Sequence, residues 1–191
     1  MIFSISKVIL RQSLLLLVLL QLTGCALFQK NSLPDTGDWA FKGKMAIRNE
    51  KEASSFNVTW VQQGLFYRII LSGPLRQGEM TIEGQPGNVV LTSGKDTYHA
   101  NSLNQLVYEL TELELPLDHI SYWVRGLAMP GEKASISTSE SGQINLIEQA
   151  GWLVSYNDYF TDQSALPRKL SFVREQSSGK LFIREWNIQT N

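Results

Sequence analysis

From Trp39 onward, apolar side chains fall on every second residue in short runs, and polar turn residues separate the runs. Phe41, Gly43, Met45 and Ile47 alternate with Lys42, Lys44, Ala46 and Arg48. After the turn Asn49-Glu50-Lys51-Glu52, Phe56, Val58 and Trp60 alternate with Asn57, Thr59 and Val61. Gln62-Gln63-Gly64 turns the chain into Phe66–Leu71, where Tyr67, Ile69 and Leu71 share a face. Met80 and Ile82, Val89 to Leu91, and Tyr98 to Ala100 mark three more strands. A period of two puts alternate side chains on opposite faces. Short strands at this spacing describe an antiparallel meander.

The period changes in the middle. Leu103, Leu106, Val107, Leu110 and Leu113 sit at helical spacing. Ser102 with Gln105 three residues later matches a capping box, and Pro116 stops the helix. A second short helix is predicted over Asp118–Arg125, with Asp118 as N-terminal cap and Gly126 closing its C-terminus. Strands return at Ile144–Ile147, at Trp152, Val154 and Tyr156, and at Leu170–Arg174 and Leu181–Ile188 around a hairpin turn at Ser177-Ser178-Gly179-Lys180. The expected class is mainly β: one antiparallel sheet of about ten or eleven strands. A sheet this large tends to curl. With a helical lid inserted in its middle it makes an open half-barrel around an apolar cavity.

The leader is a separate problem. Lys7 and Arg11 precede the uninterrupted apolar run Leu14–Leu20, and Leu22-Thr23-Gly24-Cys25 follows. A basic, then apolar, then small-residue order reads as a secretory signal, and the cysteine at its end resembles the bacterial lipobox. The run is shorter than the ~20 residues of a spanning helix, which disfavours the alternative of an uncleaved anchor. Residues 1–24 are expected to be removed, and Cys25 to be lipidated. Residues 25–38 form a tether, and 39–191 the folded domain. One acyl chain binds a membrane only reversibly, whereas two or more hold. Ala26, rather than an Asp, favours the outer membrane, with the domain on the periplasmic face.

Composition narrows the function classes. Without Lys7 and Arg11, 15 cations stand against 18 carboxylates, a net −3, so nothing points to nucleic acid. Cys25 is the only cysteine, which leaves no thiol for a disulfide or a metal once it is acylated. The two histidines, His99 and His119, read as surface or cap residues, and Glu109, Glu112 and Glu114 as a solvated helix face. No hydrolase or metalloenzyme spacing stands out. The expectation is a binding protein, not an enzyme, with no cofactor and no metal.

One turn is unusual. Ser72-Gly73-Pro74-Leu75-Arg76-Gln77-Gly78 is tight and exposed by composition, and Leu75 is its apolar residue. A lone surface leucine is ordinary, so Leu75 either tucks under the sheet or projects for a purpose.

Several segments taken in order resemble the LolB family, outer-membrane receptors that take lipoproteins from the soluble carrier LolA. They are Trp39–Ile47 with Gly43; Trp60 and Gln62; Tyr67-Arg68 before Gly73-Pro74-Leu75; and Gln85-Pro86-Gly87-Asn88-Val89. Leu115-Pro116-Leu117, Trp123-Val124-Arg125-Gly126, Gly151–Tyr156 and Leu166-Pro167 follow. The resemblance covers nearly the whole mature chain. It implies a half-barrel whose apolar cavity holds acyl chains, with LolA, acylated lipoprotein cargo and outer-membrane lipids as partners, and a monomer. It also implies that Leu75 serves the step into the membrane. One departure is Arg76, where the family commonly has glycine. At positive φ it would cost about 1 kcal/mol; alternatively it meets lipid phosphates.

The alternation and the helical stripe nominate cavity residues: Met45, Ile47, Phe56, Val58, Trp60, Ile69, Leu71, Met80, Ile82, Leu106, Leu110 and Trp123. A competing reading is a lipid-anchored scaffolding protein of the envelope with a filled core and no acyl-chain cavity.

Overall fold

The computed structural model describes residues 38–73, 78–111, 115–162 and 165–188, without the side chains of 110 and 111. The leader, Cys25, most of the tether, Leu75 and Arg76 lie outside the described residues.

Eleven strands form one antiparallel sheet, in the spatial order β6-β5-β4-β3-β2-β1-β11-β10-β9-β8-β7. They are β1 (Trp39–Arg48), β2 (Ala53–Gln63), β3 (Phe66–Ser72), β4 (Met80–Gln85), β5 (Asn88–Ser93) and β6 (Asp96–Ala100). After the helices come β7 (Ala134–Thr138), β8 (Ile144–Gln149), β9 (Trp152–Tyr159), β10 (Pro167–Arg174) and β11 (Ser177–Ile188). Every strand pairs with its sequence neighbour except at β6 and β7, which end the sheet, and at β1 with β11, which join its two halves. The sheet is therefore open, a half-barrel with two free edges. No helix among the described residues is long and apolar enough to cross a membrane.

The alternation sets the faces. Along β1, Phe41, Gly43, Met45 and Ile47 are buried, and Lys42, Lys44, Ala46 and Arg48 are exposed. Gly43 marks a bulge against β11, and a Cβ there would lie 2.5 Å from the Phe182 carbonyl oxygen. Only glycine lets the two backbones approach so closely.

Two short helices cover the inner face. In α1 (Leu103–Thr111) the Ser102 hydroxyl accepts the Gln105 N–H at 3.1 Å, as the capping box predicts. The Gln105 side chain reaches back one residue further than expected, accepting the Asn101 N–H at 3.2 Å. α2 spans Leu117–Trp123, one residue earlier than predicted at its start. Asp118 is not its cap. Asn104, projecting from α1, takes that place: its carbonyl accepts the Leu117 N–H at 3.0 Å, and its amide donates to the Asp118 carboxylate at 2.6 Å. At the other end Leu127 N–H donates to Tyr122 O and Gly126 N–H to Trp123 O, with Gly126 at φ +73. This is the left-handed closure expected of that glycine.

Two further expectations are corrected. Ser177-Ser178-Gly179-Lys180 is not a turn but the start of β11; the turn is Glu175-Gln176, with Glu175 at φ +51. Gly179 faces Phe172 across the β10–β11 ladder, and the Phe172 ring fills the space a Cβ would need, its Cζ 2.1 Å away. The glycine is a slot for an aromatic ring. β7, an edge strand of sequence Ala-Ser-Ile-Ser-Thr, was not anticipated, because one isoleucine among hydroxyls gives no alternation to read.

Candidate functional site

The inner face carries two aromatic clusters. One lies where β1, β2, β3 and β11 meet: Trp39 stacks on Phe41 at 6.1 Å and approaches Trp60 at 5.7 Å and Trp186 at 6.0 Å. Tyr67 extends it from Trp60 at 6.4 Å. The other lies under α2, where Trp123 meets Trp152 and Phe172, each at 6.4 Å. Offset and tilted rings at such distances attract beyond simple burial.

α2 is fastened over the second cluster by polar contacts. The Trp123 indole N–H donates to the Gln149 carboxamide oxygen at 3.1 Å, and the Tyr156 hydroxyl donates to the Trp123 carbonyl at 2.9 Å. Gln149 also grips the loop beyond the helix, accepting from Met129 N–H at 2.9 Å and donating to Met129 O at 2.8 Å. Burial at 2 % exposure makes these bonds obligatory.

Over the first cluster the cover is incomplete. A groove of about 480 Å³ opens there, within the roughly 300–1,000 Å³ range of ligand pockets. Trp39, Trp60, Tyr67 and Val89 contribute from the sheet, Leu103 from the start of α1, and Leu117, Tyr122 and Arg125 from α2 and its end. Met129, on the loop that Gln149 holds, also lines it. The mouth is at the sheet end that carries the β2–β3 and β4–β5 turns. Leu65, in the first of these, is 74 % exposed. A larger depression, about 580 Å³, lies at the opposite end, but only hydrophilic turn residues such as Glu50, Lys51 and Glu175 line it.

Arg125 is the polar residue of most consequence in the groove. It is 8 % exposed, its Nε donates to the Ser121 carbonyl at 3.2 Å, and its guanidinium lies 5.6 Å from the Trp39 ring and 5.4 Å from the Tyr122 ring. A guanidinium over aromatic faces is held electrostatically while its stem packs as hydrocarbon. Arg125 thus joins α2 to β1 across the groove. Burial, aided by the Asp118 charge, pushes the Tyr67 phenol up to about 12. Burial also raises the Asp118 carboxyl, against the lowering effect of His119. The groove therefore carries a neutral phenol at any physiological pH.

The Ser121 hydroxyl and the His119 imidazole near the groove are engaged elsewhere in the fold. The Ser121 hydroxyl is committed to the Asp118 carbonyl at 2.6 Å. His119 points to Glu132 at 2.8 Å, and the other histidine, His99, is exposed on β6. Among the described residues no cluster of side chains has the makings of a metal site.

Of the nominated cavity residues, Trp60 lines this groove. Met45, Ile47, Val58, Ile69 and Ile82 from the strands, and Leu106 and Trp123 from the helices, lie in the buried hydrophobic cluster. Phe56 and Leu71 pack at its margin, and Met80 is half-buried. The Leu110 side chain and Leu75 lie outside the described residues. The groove also uses Tyr67, Val89, Leu103, Leu117, Tyr122, Arg125 and Met129, which were not nominated. Alternation finds the inward face but says nothing of where the lid leaves that face bare.

The family model for outer membrane lipoprotein LolB matches residues 37–186. The chain belongs to the LolB family. An outer-membrane lipoprotein LolB of Alkalilimnicola ehrlichii is 35% identical over 154 residues, 79% of this chain and 77% of that protein. The LolB of Cellvibrio japonicus is 34% identical over 166 residues, 83% of this chain and 82% of that one. In fold, the chain is similar to a LolA superfamily protein from Nitrosomonas europaea, with a TM-score of 0.53 at 6% identity, covering 84% and 89% of the two chains. Membership in the LolB family accords with the open half-barrel and its helical lid. At 6% identity the second likeness concerns fold alone.

Proposed function

We propose that this chain is an outer-membrane receptor that accepts acylated lipoproteins from a LolA-type carrier and passes them to the bilayer, holding acyl chains in the groove. The observation that carries this reading is the aromatic and aliphatic groove between Trp39, Trp60 and Tyr67 below and Leu117 and Tyr122 above. An acyl chain cannot cross water bare, and burying its methylenes contributes about 0.8 kcal/mol each. Transfer then follows differences in affinity and needs no catalytic group and no nucleotide. LolB family membership supports the same reading. Residues 1–24 act as the signal, and Cys25 carries the lipid that holds residues 39–191 at the periplasmic face of the outer membrane. Leu75, at the β3–β4 turn, serves the step into the membrane.

Uptake tests the reading. A Cys25→Ala form is mixed with a carrier loaded with acylated lipoprotein, and cargo is followed by co-purification. The expected result is movement of cargo onto the receptor. A scaffolding protein would leave all of it on the carrier.

A further inference from the structure

The outer face of the sheet has a charge arrangement that the groove does not use. β1, β11 and β10 are adjacent in the middle of the sheet. Together they carry eight cations and one carboxylate, Glu185, while the rest of the chain holds nine cations against seventeen carboxylates. Arg174 turns inward and lies over Trp152 at 4.8 Å. The other seven, Lys42, Lys44, Arg48, Arg168, Lys169, Lys180 and Arg184, are exposed.

Register ties them into one surface. Lys44 faces Phe182 on β11, and Phe182 faces Lys169 on β10. In the next row Ala46 faces Lys180, which faces Ser171. Two carboxylates pair within the patch: Glu185, 2.5 Å from Lys42 and held below the usual carboxylate range by that lysine, and Asp158, 3.5 Å from Arg168; Glu50, Glu52 and Glu175 ring the turn end next to Arg48 and bound the patch there. Glu148, on β8, stands further out, opposite Leu153 of β9. Among the cations sit three exposed apolar residues: Phe182 (39 %), Val173 (42 %) and its ladder partner Leu153 (38 %).

We propose that the convex face of β1, β11 and β10 is a docking surface for a bilayer containing anionic phospholipid. The cations are spread over a face instead of converging on a pocket, which suits many headgroups better than one ligand. Each basic residue at an anionic surface improves partitioning by roughly fivefold. Long lysine stems lie along apolar surroundings while their charges stay in water, and Phe182, with the Arg168 guanidinium 5.5 Å over its ring, adds apolar area of the kind that elements lying on a membrane surface carry. Docked this way, the concave side and its groove turn away from the lipid, toward the water from which cargo arrives. The inference goes beyond the receptor reading and shares with it only the lipid on Cys25, because lipid contact is measured without cargo.

The test is amine footprinting by mass spectrometry on the full lipidated protein, in vesicles of phosphatidylcholine with and without phosphatidylglycerol. Lys44, Lys169 and Lys180 are expected to label severalfold less with phosphatidylglycerol present, and to regain labelling in high salt. Lys95 and Lys133, exposed elsewhere, serve as unchanged references. In Lys44→Glu/Lys180→Glu, with an unchanged melting temperature, Lys169 should lose its protection; Lys44→Gln/Lys180→Gln replaces it if the reversal disturbs folding. Equal labelling in the two vesicle types would overturn the proposal. So would protection that appears only when an acidic carrier protein is added.

Discussion

Gln149 holds Trp123 by a single buried hydrogen bond of 3.1 Å, and the same carboxamide clasps both backbone groups of Met129. One side chain on β8 thus fixes both the lid helix α2 and the loop that follows it. Gln149→Leu keeps the volume and strands three polar groups, the buried Trp123 indole N–H and the half-buried N–H and carbonyl of Met129. A destabilisation of about 3 kcal/mol is expected, read from urea unfolding. A loss under 1 kcal/mol would mean that water enters and replaces the clasp.

Met129→Trp should narrow the groove without touching the clasp, which uses only backbone atoms of Met129. If the indole excludes two cargo methylenes, affinity falls roughly tenfold. Uptake of lipoprotein from the carrier measures it, with melting temperature as control. Full uptake by a folded variant would move the acyl site elsewhere.

Leu75→Glu is expected to leave folding and uptake intact and to impair release into liposomes, because a charge resists insertion into apolar surroundings. A large drop in melting temperature would place Leu75 in the core. Normal transfer by a stable variant would make it an ordinary surface residue.

The tyrosines predict the alkaline limit. Burial raises Tyr67 and Tyr159 to about 12, and raises Tyr156 as well, all above their ordinary 10.0. A folded-state pKa above the unfolded value means that the unfolded chain loses its proton first. Stability is whole below pH 10 and drains away as pH rises from 10 toward 12. Urea midpoints between pH 8 and 11 should be flat and then fall. Tyr67→Phe should soften the fall; an identical profile would show that Tyr67 is not held neutral by the fold.

Gly179→Ala should displace the Phe172 ring, which also supports Trp123 and Trp152. Overpacking of this kind costs about 1–3 kcal/mol. Thermal unfolding checks it, and Phe172→Leu in the same chain should recover part of the loss.

That glycine also marks the limit of reading this sequence by pattern. In β1 to β5 one face is the more buried, so a period of two picks out the inward residues such as Phe41, Val58, Ile69, Ile82 and Leu91; Ser72, buried beside the half-buried Leu71, is the exception. Ser-Ser-Gly-Lys has the composition of a turn, and only the partner strand reveals that Gly179 faces Phe172. Asn104 capping α2 is equally invisible, because its partner lies 13 residues away. The groove was the least readable part. Trp60, Ile69 and Ile82 all face inward, yet only Trp60 lines it. That selection depends on where two short helices end.

The Asp38 carboxylate accepts the Gly64 N–H at 3.1 Å, tying the first described residue to the β2–β3 turn beside the groove mouth. The point where the chain enters the sheet is thereby pinned beside the mouth. With Cys25 as the proposed anchor, residues 26–38 would reach at most roughly 45 Å, so the number of residues ahead of Asp38 would set the greatest distance at which the mouth can stand from the lipid.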